Sequence, residues 1–523
     1  MSVGIADVRA TIEQRLGDEV GTLGVDQPAP FCLAYPSPYR VGMSSLGFQT
    51  LYRLLHAEGI GCHRAFLPDA WGGAALPWPP PREPILSYEA QRPISDYPLL
   101  GFSVAYELEL AGMIRMLHGA GVPLLARDRR ARDPIVVAGG PLTDTNAAAL
   151  LPIADVIVAG EAEAILPELV RRFADAHDRD DALQRMVSLP HTVLGEHAPG
   201  RIAELPSCAS APKELLPAHA AITTPHTELA DMFLVEPERG CSRRCTFCVM
   251  RGPSTGGMRI LEAARALELV PAHARRVGLV GAAVTDHPEL EELVARIVES
   301  GRGVGVSSLR ADRLTPTLLD ALARGGYRQI TVASDGISER LRTLLVRKID
   351  APALRRAAEL VRAHGGFRGL KLYQMIGVPT ENDDDVAELV EFIRELSSLV
   401  RVTLGISTFC AKRNTPLDGQ PFVGVATAQA RLNAIARGLQ GLAEIRPQPP
   451  KWAHVEWLIS RHGAEAGHAV IDATQNGGSY RAWVNAFAKL GEPTRALVYG
   501  DEAAVLRRKG KAAIVRDRLP LVR

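Results

Sequence analysis

The stretch EPERGCSRRCTFC, residues 236–248, places three of the seven cysteines close together, at Cys241, Cys245 and Cys248. An apolar run, MFLV at 232–235, comes directly before it and is cut off by proline and glycine. A short apolar run that ends in this way predicts a buried strand followed by a loop. Because α/β sheets and barrels carry their chemistry at the carboxyl ends of strands, we predict that the three thiols lie in a functional loop.

The number of thiols indicates the kind of metal site. Structural zinc needs four ligands. Iron–sulfur clusters are the other common metal group that cysteine thiolates bind. A 4Fe–4S cluster with three protein ligands keeps one iron open for a substrate or cofactor. The alternative is a zinc site that takes Cys208 or Cys410 as its fourth ligand, but C-x3-C-x2-C lacks the paired spacing of zinc modules. We therefore predict one cluster on Cys241, Cys245 and Cys248.

Composition limits the class of protein. A length of 523 residues predicts two to four domains of an ordinary globular kind. The net charge of +1 favours neither nucleic acid nor a membrane surface as a partner. There is no run of ~18 apolar residues and no signal pattern, and the cysteine usage fits reduced thiols. We therefore expect a cytoplasmic protein with no membrane partner.

Strand-like runs alternate with helical segments on both sides of the cysteine loop, which predicts parallel sheets. The expected fold class is α/β, with a doubly wound domain, a partial (β/α) barrel and a small C-terminal domain. The predicted strands are 31–35, 99–104, 135–138 and 156–158 in the first domain, and 233–235, 277–280, 303–306, 329–332, 369–373 and 402–406 in the barrel. The predicted bounds are 1–25 for an N-terminal helix, 26–180 for the doubly wound domain, 181–228 for a linker, 229–445 for the barrel and 446–523 for the C-terminal domain.

The spacing C-x3-C-x2-C, with Phe247 before the last cysteine, resembles the signature of the radical S-adenosylmethionine (radical SAM) superfamily. In that family the open iron binds the amino and carboxylate groups of S-adenosylmethionine, whose cleavage yields a 5′-deoxyadenosyl radical. The resemblance continues at later strand ends, with GAAVTD at 281–286, SSLR at 307–310, SDG at 334–336 and MIGVPTE at 375–381. It implies S-adenosylmethionine contacts from Phe247, Ala283, Asp286, Ser308, Arg310, Asp335, Arg340 and Gly377.

One of these strand ends departs from the family pattern. Many relatives carry G-G-E where this chain has Gly281 followed by two alanines, so the carboxylate position is Ala283, and Asp286 is the candidate substitute. For Arg310 and Asp335 the alternative is an ordinary surface ion pair.

The segments YPSPYRVGMSSLG at 35–47, VAGGP at 137–141 and AGEAE at 159–163 resemble the cobalamin-binding domain that precedes many radical SAM barrels. In that family the dimethylbenzimidazole tail lies in the sheet crevice and the corrin rests on strand-end loops. The implied contacts are Tyr39, Arg40, Gly42, Ser44, Ser103, Gly139, Gly140, Gly160 and Glu161. The family motif D-x-H-x-x-G reads SPYRVG here, so cobalt is expected to lack a histidine ligand, with Tyr39 or Arg40 near that face. The alternative is a plain nucleotide-fold domain that binds no cobalamin.

The resemblance implies a class B, cobalamin-dependent radical SAM methyltransferase. It would transfer a methyl group from methylcobalamin to an unactivated carbon after hydrogen abstraction by the 5′-deoxyadenosyl radical. One alternative is a rearrangement or cyclisation with cobalamin bound but no methyl transfer, and another is a non-catalytic S-adenosylmethionine or iron–sulfur binding protein. The family also implies an external electron donor of the flavodoxin or ferredoxin type and a small-molecule or peptide substrate. Catalytic residues and the substrate itself stay unassigned.

Overall fold

The computed structural model describes residues 4–491 with the exception of 25–27, 73–77, 81–82, 198–204, 206 and 252–255. The chain divides into two compact units. Unit 1 contains the residues up to Asp231 together with those from Leu458 onwards, and unit 2 is Met232–Trp457. In the described ranges, no helix combines the length and the apolar character needed to cross a bilayer.

Unit 1 is built on a sheet whose described strands follow the order β2-β1-β3-β4-β5-β6. The first five strands are parallel, and β6 is antiparallel to β5. The strands are β1 Phe31–Tyr35, β2 Cys62–Phe66, β3 Leu99–Ser103, β4 Ile135–Gly139, β5 Val156–Val158 and β6 Thr192–Leu194. The helices before the cysteine loop are α1 Ile5–Gly17, α2 Tyr39–Gly42, α3 Leu46–Ala57, α4 Glu109–Gly119, α5 Thr143–Asn146, α6 Leu166–Ala174 and α7 Arg179–Val187. The strand order reverses between β1 and β3, and doubly wound sheets bind ligands beside such a switch point.

Strand β2 was not predicted, because its sequence CHRAF carries two polar side chains. Both are buried in the structure. The Arg64 guanidinium pairs with Glu89 at 2.6 Å and with Glu19 at 2.8 Å, and His63 bonds to the Tyr97 hydroxyl at 2.5 Å. Contacts that are distant in sequence therefore neutralise the charge of this strand.

Unit 2 is a partial barrel of parallel strands in the orders β7-β10-β11 and β12-β13-β14-β15, joined by a bridge between Leu309 and Val332. Its strands are β7 Met232–Val235, β8 Glu238–Gly240, β9 Met258–Ile260, β10 Arg276–Leu279, β11 Gly303–Val306, β12 Ile330–Gly336, β13 Leu370–Ile376, β14 Val402–Thr408 and β15 Ala443–Pro447. Strands β8 and β9 form a separate antiparallel pair. The helices are α8 Ala263–Glu268, α9 Leu290–Glu299, α10 Pro316–Arg324, α11 Glu339–Leu344, α12 Ala351–His364, α13 Asp383–Leu399, α14 Val425–Gly438 and α15 Pro450–Arg461. The predicted α/β class, a doubly wound domain followed by a partial (β/α) barrel, is confirmed.

The structure corrects the predicted linker at 181–228. This segment contains most of α7 and strand β6, and its last third is packed into unit 1, with Leu216, Ala218, Ala220 and Ile222 all buried. Its composition, rich in proline, alanine and aspartate, lacks the apolar runs that indicate regular structure. The segment is part of the fold of unit 1.

The structure also corrects the predicted C-terminal domain at 446–523. Helices α16, Ala464–Gln475, and α17, Tyr480–Ala488, belong to unit 1. The buried Asn146 side chain donates to the carbonyls of Ile459 and His462 at 2.8 and 3.2 Å. A Cβ atom on Gly467 would lie 2.4 Å from the Ala149 carbonyl oxygen, so this part of α16 packs directly on unit 1 backbone. Residues 492–523 lie outside the described residues.

Candidate active site

The three cysteines follow β7 and β8 in unit 2, as the sequence predicts. Cys241 and Cys245 are buried and Cys248 is half-buried. Thr246 fixes the loop, because its backbone N–H donates to the Leu345 carbonyl at 3.0 Å and its hydroxyl donates to the Leu344 carbonyl at 3.3 Å. The cysteine loop is thus attached to the chain that leaves α11.

Burial raises the pKa of the Cys248 thiol to about 11 and raises the pKa of Cys241 above its ordinary value. Thiols of this kind hold their protons until a metal displaces them, so cluster binding would release protons. Arg347 supplies positive charge near them: burial lowers the pKa of Arg347, and Asp335, Cys245 and Cys248 together raise it above its ordinary value. The donor set therefore suits a group that carries net negative charge.

The arrangement of these thiols also bears on the zinc alternative. Among the described residues, no three His, Cys, Asp or Glu side chains converge in the way that one metal ion requires. Three thiolates that each ligate a different iron of a cubane need not converge on one point. Cys410 donates to the Ala453 carbonyl at 2.9 Å. Three thiols on one short loop are the donors that an iron–sulfur cluster takes.

The structure brings most of the predicted S-adenosylmethionine contacts to one edge of unit 2. Ala283 and Asp286 follow β10, and Ser308 and Arg310 follow β11. Asp335 is the second-last residue of β12. Gly377 comes directly after β13 with a φ of 77°, which glycine adopts without strain. Because the strands are parallel, these positions share the edge of the barrel that carries the cysteine loop, with Phe247 inside that loop.

Asp286 is the centre of an ion-pair network at this edge. Its carboxylate accepts two hydrogen bonds from Arg243, at 2.6 and 2.8 Å, and lies 3.5 Å from Arg310 Nε. Arg310 pairs also with Asp312. The Arg310 side chain is only 9% exposed, and its Nη1 has no hydrogen-bond partner among the described residues. An unpartnered buried donor of this kind favours an anionic ligand group.

Asp335 has a different partner. Its carboxylate lies 2.5 Å from Arg347, and the two side chains are 16% and 14% exposed. Burial raises the pKa of Asp335 above its ordinary value, although Arg347 opposes that shift. Neither Arg310 nor Asp335 is therefore the exposed surface ion pair of the alternative interpretation.

Arg340 has hydrogen-bond partners of its own. Its guanidinium pairs with Asp385 at 2.5 Å and donates to the Thr380 carbonyl at 2.9 Å. Asp385 belongs to the capping box at the start of α13. The contacts of Arg340 thus tie α11 to α13.

Glu238 is a buried polar residue of this site that the motifs did not reveal. Its Oε1 accepts a hydrogen bond from the Ala283 backbone N–H at 2.7 Å, and a Cβ atom on Gly281 would lie 2.1 Å from that oxygen. Its Oε2 has no partner among the described residues. The pKa of Glu238 is raised to about 7, chiefly by burial and also by the charges of Glu236 and Asp286, while the Ala283 N–H opposes the rise. The sequence contained one signal for this residue: a glutamate lies three residues before Cys241, in a chain whose GAAVTD segment has alanine where many relatives have a glutamate.

Unit 1 contains a narrow cleft beside the β1/β3 switch point. It is lined by strands β1, β3, β4 and β5 and by Leu51, Ala162 and Leu166. The predicted residues Ser103, Gly139 and Gly140 lie among its lining residues. Gly140 has a φ of 104°, and a Cβ atom there would lie 2.7 Å from the Val104 carbonyl oxygen. The lining of this cleft is almost entirely apolar.

Tyr39 and Arg40, predicted near the lower face of cobalt, and Gly42 and Ser44, predicted to contact cobalamin, all have contacts within unit 1. Tyr39 is fully buried and donates its hydroxyl to Glu19 at 2.6 Å. Arg40 forms an exposed ion pair with Glu228 at 2.5 Å, and Ser44 accepts from the Glu228 N–H at 3.1 Å. A Cβ atom on Gly42 would lie 2.6 Å from the Phe66 ring.

Gly160 and Glu161 bond to the backbone at residues 209–211, in the segment predicted as a linker. Gly160 forms a backbone bridge with Ala209, and a Cβ atom at Gly160 would lie 2.4 Å from the Ala209 nitrogen. Glu161 accepts from the Ala211 N–H at 2.6 Å. These contacts give both residues a role in folding unit 1, and their contact with cobalamin stays a prediction.

Comparison with known proteins adds two family matches. Residues 47–193 match the model described as radical SAM proteins, N-terminal, and residues 235–393 match that of the radical SAM superfamily. An uncharacterised protein from Methanocaldococcus jannaschii is 26% identical over 340 residues, which are 63% of this chain and 70% of that protein. The radical S-adenosylmethionine methyltransferase TsrM from Kitasatospora setae, solved with cobalamin and a [4Fe-4S] cluster bound, has a TM-score of 0.54 at 14% identity, covering 88% of this chain and 99% of TsrM. At that identity the similarity to TsrM is one of fold.

Proposed function

Since the chain belongs to the radical SAM superfamily, we propose that it is a cobalamin-dependent methyltransferase that acts on an unactivated carbon of a small molecule or peptide. The observation that carries this proposal is the cleft at the β1/β3 switch point of unit 1, in a chain whose barrel bears the three-cysteine loop. A further support is the shared fold with TsrM, since that protein was solved with both groups bound.

In the barrel, Cys241, Cys245 and Cys248 would hold the cluster, which supplies the electron that cleaves S-adenosylmethionine. Arg347 would offset the negative charge of the ligated thiolates. Arg310 Nη1, which has no partner among the described residues, would donate to the methionine carboxylate of the bound molecule. Ser308, exposed at the end of β11, is available for a hydroxyl group of the ribose.

In unit 1, the cleft beside Ser103, Gly139 and Gly140 would receive the flat nucleotide tail of cobalamin. Bound cobalamin would supply the methyl group. Residues 37–42 contain no histidine, and the Tyr39 hydroxyl is already bonded to Glu19. We therefore propose that no side chain of this segment ligates cobalt. An external flavodoxin- or ferredoxin-type donor would deliver the electrons, in the cytoplasm.

Two alanines of unit 1 allow a matched test of the cleft. Ala162 lines it, whereas Ala176 lines a separate cavity at the other end of the strands, next to Asp133 and Pro134. Both are partly buried and pack against the same core. Ala162→Leu is expected to reduce cobalamin binding at least tenfold, and Ala176→Leu to leave it unchanged.

The measurement is cobalamin retained per chain after anaerobic reconstitution and gel filtration, with circular dichroism to check folding. Stoichiometric cobalamin in both variants would place the ligand outside the cleft. No cobalamin in the parent protein would overturn the cobalamin part of the proposal. If cobalamin binds but isotopically labelled methyl from S-adenosylmethionine reaches no product, the rearrangement or cyclisation alternative applies.

A further inference from the structure

The turn after α11 has an unusual backbone. Val346 has a φ of 53° and Lys348 a φ of 51°, and neither is glycine. The left-handed region is a true outlier for a β-branched residue such as valine, because Cβ crowds the backbone there. Such strain persists where the surroundings fix the conformation, often at functional sites.

Hydrogen bonds tie this turn to α11 and to the cysteine loop. The Val346 N–H donates to the Thr343 carbonyl at 3.0 Å, and the Arg347 N–H donates to the Arg342 carbonyl at 2.9 Å. The Val346 carbonyl accepts from the Cys245 thiol at 3.9 Å. The carbonyl of the strained Val346 therefore contacts a predicted iron ligand, and Arg347 is the next residue in the chain.

The side chain of Arg347 follows this contact directly. Its guanidinium pairs with Asp335 at 2.5 Å and donates to the Ala333 carbonyl at 2.9 Å. Burial lowers the pKa of Arg347, and Asp335, Cys245 and Cys248 together raise it above its ordinary value. Because the side chains of Arg347 and Asp335 are largely buried, their charges act through a medium that screens less than water.

We propose that Arg347 and Asp335 form a charge pair that sets the reduction potential of the cluster on Cys241, Cys245 and Cys248. Reduction adds one electron, taken from the external donor, and makes the cluster more negative by one charge. A nearby cation favours the reduced form and a nearby carboxylate opposes it, so the guanidinium raises the potential and Asp335 lowers it. This inference rests on one part of the proposed function, the iron–sulfur cluster, and does not depend on cobalamin or on methyl transfer.

The test is a spectroelectrochemical titration of the anaerobically reconstituted full chain, without S-adenosylmethionine. Arg347→Met should shift the equilibrium toward the oxidised cluster at least tenfold, which for one electron is 59 mV to lower potential. Arg347→Lys should restore most of the parent potential, and Asp335→Asn should move it the opposite way. Lys348→Met is the matched control, because Lys348 belongs to the same strained turn but is exposed. Its potential should equal that of the parent.

Iron and sulfide content separates the possible failures. If the parent holds no cluster, the proposed function fails with the inference. If the parent and the variants hold equal iron and the potentials of Arg347→Met and Asp335→Asn match the parent, the inference alone is overturned. If Arg347→Met loses iron, the other two variants decide the question. A raised potential in Asp335→Asn, together with a near-parent potential in Arg347→Lys, supports the charge pair. An unchanged potential in Asp335→Asn overturns it.

Discussion

Replacing Glu238 with glutamine is expected to stabilise the cluster-free protein at alkaline pH. The Glu238 side chain is fully buried, one of its oxygens has no partner among the described residues, and burial raises its pKa to about 7. The rise from the ordinary 4.5 to about 7 corresponds to about 3 kcal/mol of unfolding free energy, at about 1.36 kcal/mol for each unit of pKa.

The sign follows from proton binding. Between pH 4.5 and about 7 the folded protein keeps the Glu238 proton that the unfolded chain has lost. Stability therefore falls as the pH rises through this window, and above about 7 the full cost of the buried charge is present. Glutamine has no charge to bury, so the variant lacks this decline. The variant should match the parent near pH 4.5 and exceed it by about 3 kcal/mol at pH 8.

Urea unfolding of both proteins at pH 5 and pH 8, followed by tryptophan fluorescence, measures the effect. Glu391→Gln serves as control, because Glu391 is exposed on α13, 3.0 Å from Arg394, and has no part in the Glu238 shift. The reasoning is refuted if Glu238→Gln loses as much stability as the parent between the two pH values. A gain of equal size in the Glu391 variant would also refute it, since the effect would not be specific to the buried carboxylate.

Two further predictions concern the ligands. Arg310→Ala should weaken S-adenosylmethionine binding roughly ten- to a hundredfold without loss of iron, because a buried charged donor contributes ~1.5–3 kcal/mol; calorimetric titration of the reconstituted protein measures this. Arg340→Ala should bind it as the parent does, because the guanidinium of Arg340 is bonded to Asp385 and Thr380, and equal affinity in both variants would remove Arg310 from the site. Electron paramagnetic resonance of the protein with cob(II)alamin should show no nitrogen splitting from an imidazole, and a splitting that disappears on replacing one histidine would contradict this.

The strands that could be read from the sequence are those with uniform apolar runs. FCLAY at 31–35, VIV at 156–158 and GVGV at 303–306 are strands with the predicted bounds. Strand β2 was missed because Arg64 is paired with carboxylates far away in sequence. Strand β15, AEIRP, was missed because it is polar and forms the edge of its sheet. In both strands tertiary contacts decide the structure and local pattern does not.

The candidate site shows the same division. The cysteine spacing and the order of the strand ends are local features, and the structure brings them to one edge of the barrel. The partners of the charged side chains are not local. The pairing of Asp335 with Arg347 depends on the strained turn at 346–348, and the position of Glu238 against Gly281 depends on the contact between the cysteine loop and the end of β10. No spacing in the sequence specifies either contact.

The most direct test of the central claim is the cofactor content of the parent chain and of a variant with Cys241, Cys245 and Cys248 replaced by alanine. Both are reconstituted anaerobically with iron, sulfide and cobalamin, and then given S-adenosylmethionine and a reductant. We predict about four irons and one cobalamin per parent chain with formation of 5′-deoxyadenosine. The variant should keep cobalamin and lose both the iron and the cleavage. Iron retained by the variant, or zinc in place of iron in the parent, would contradict the account.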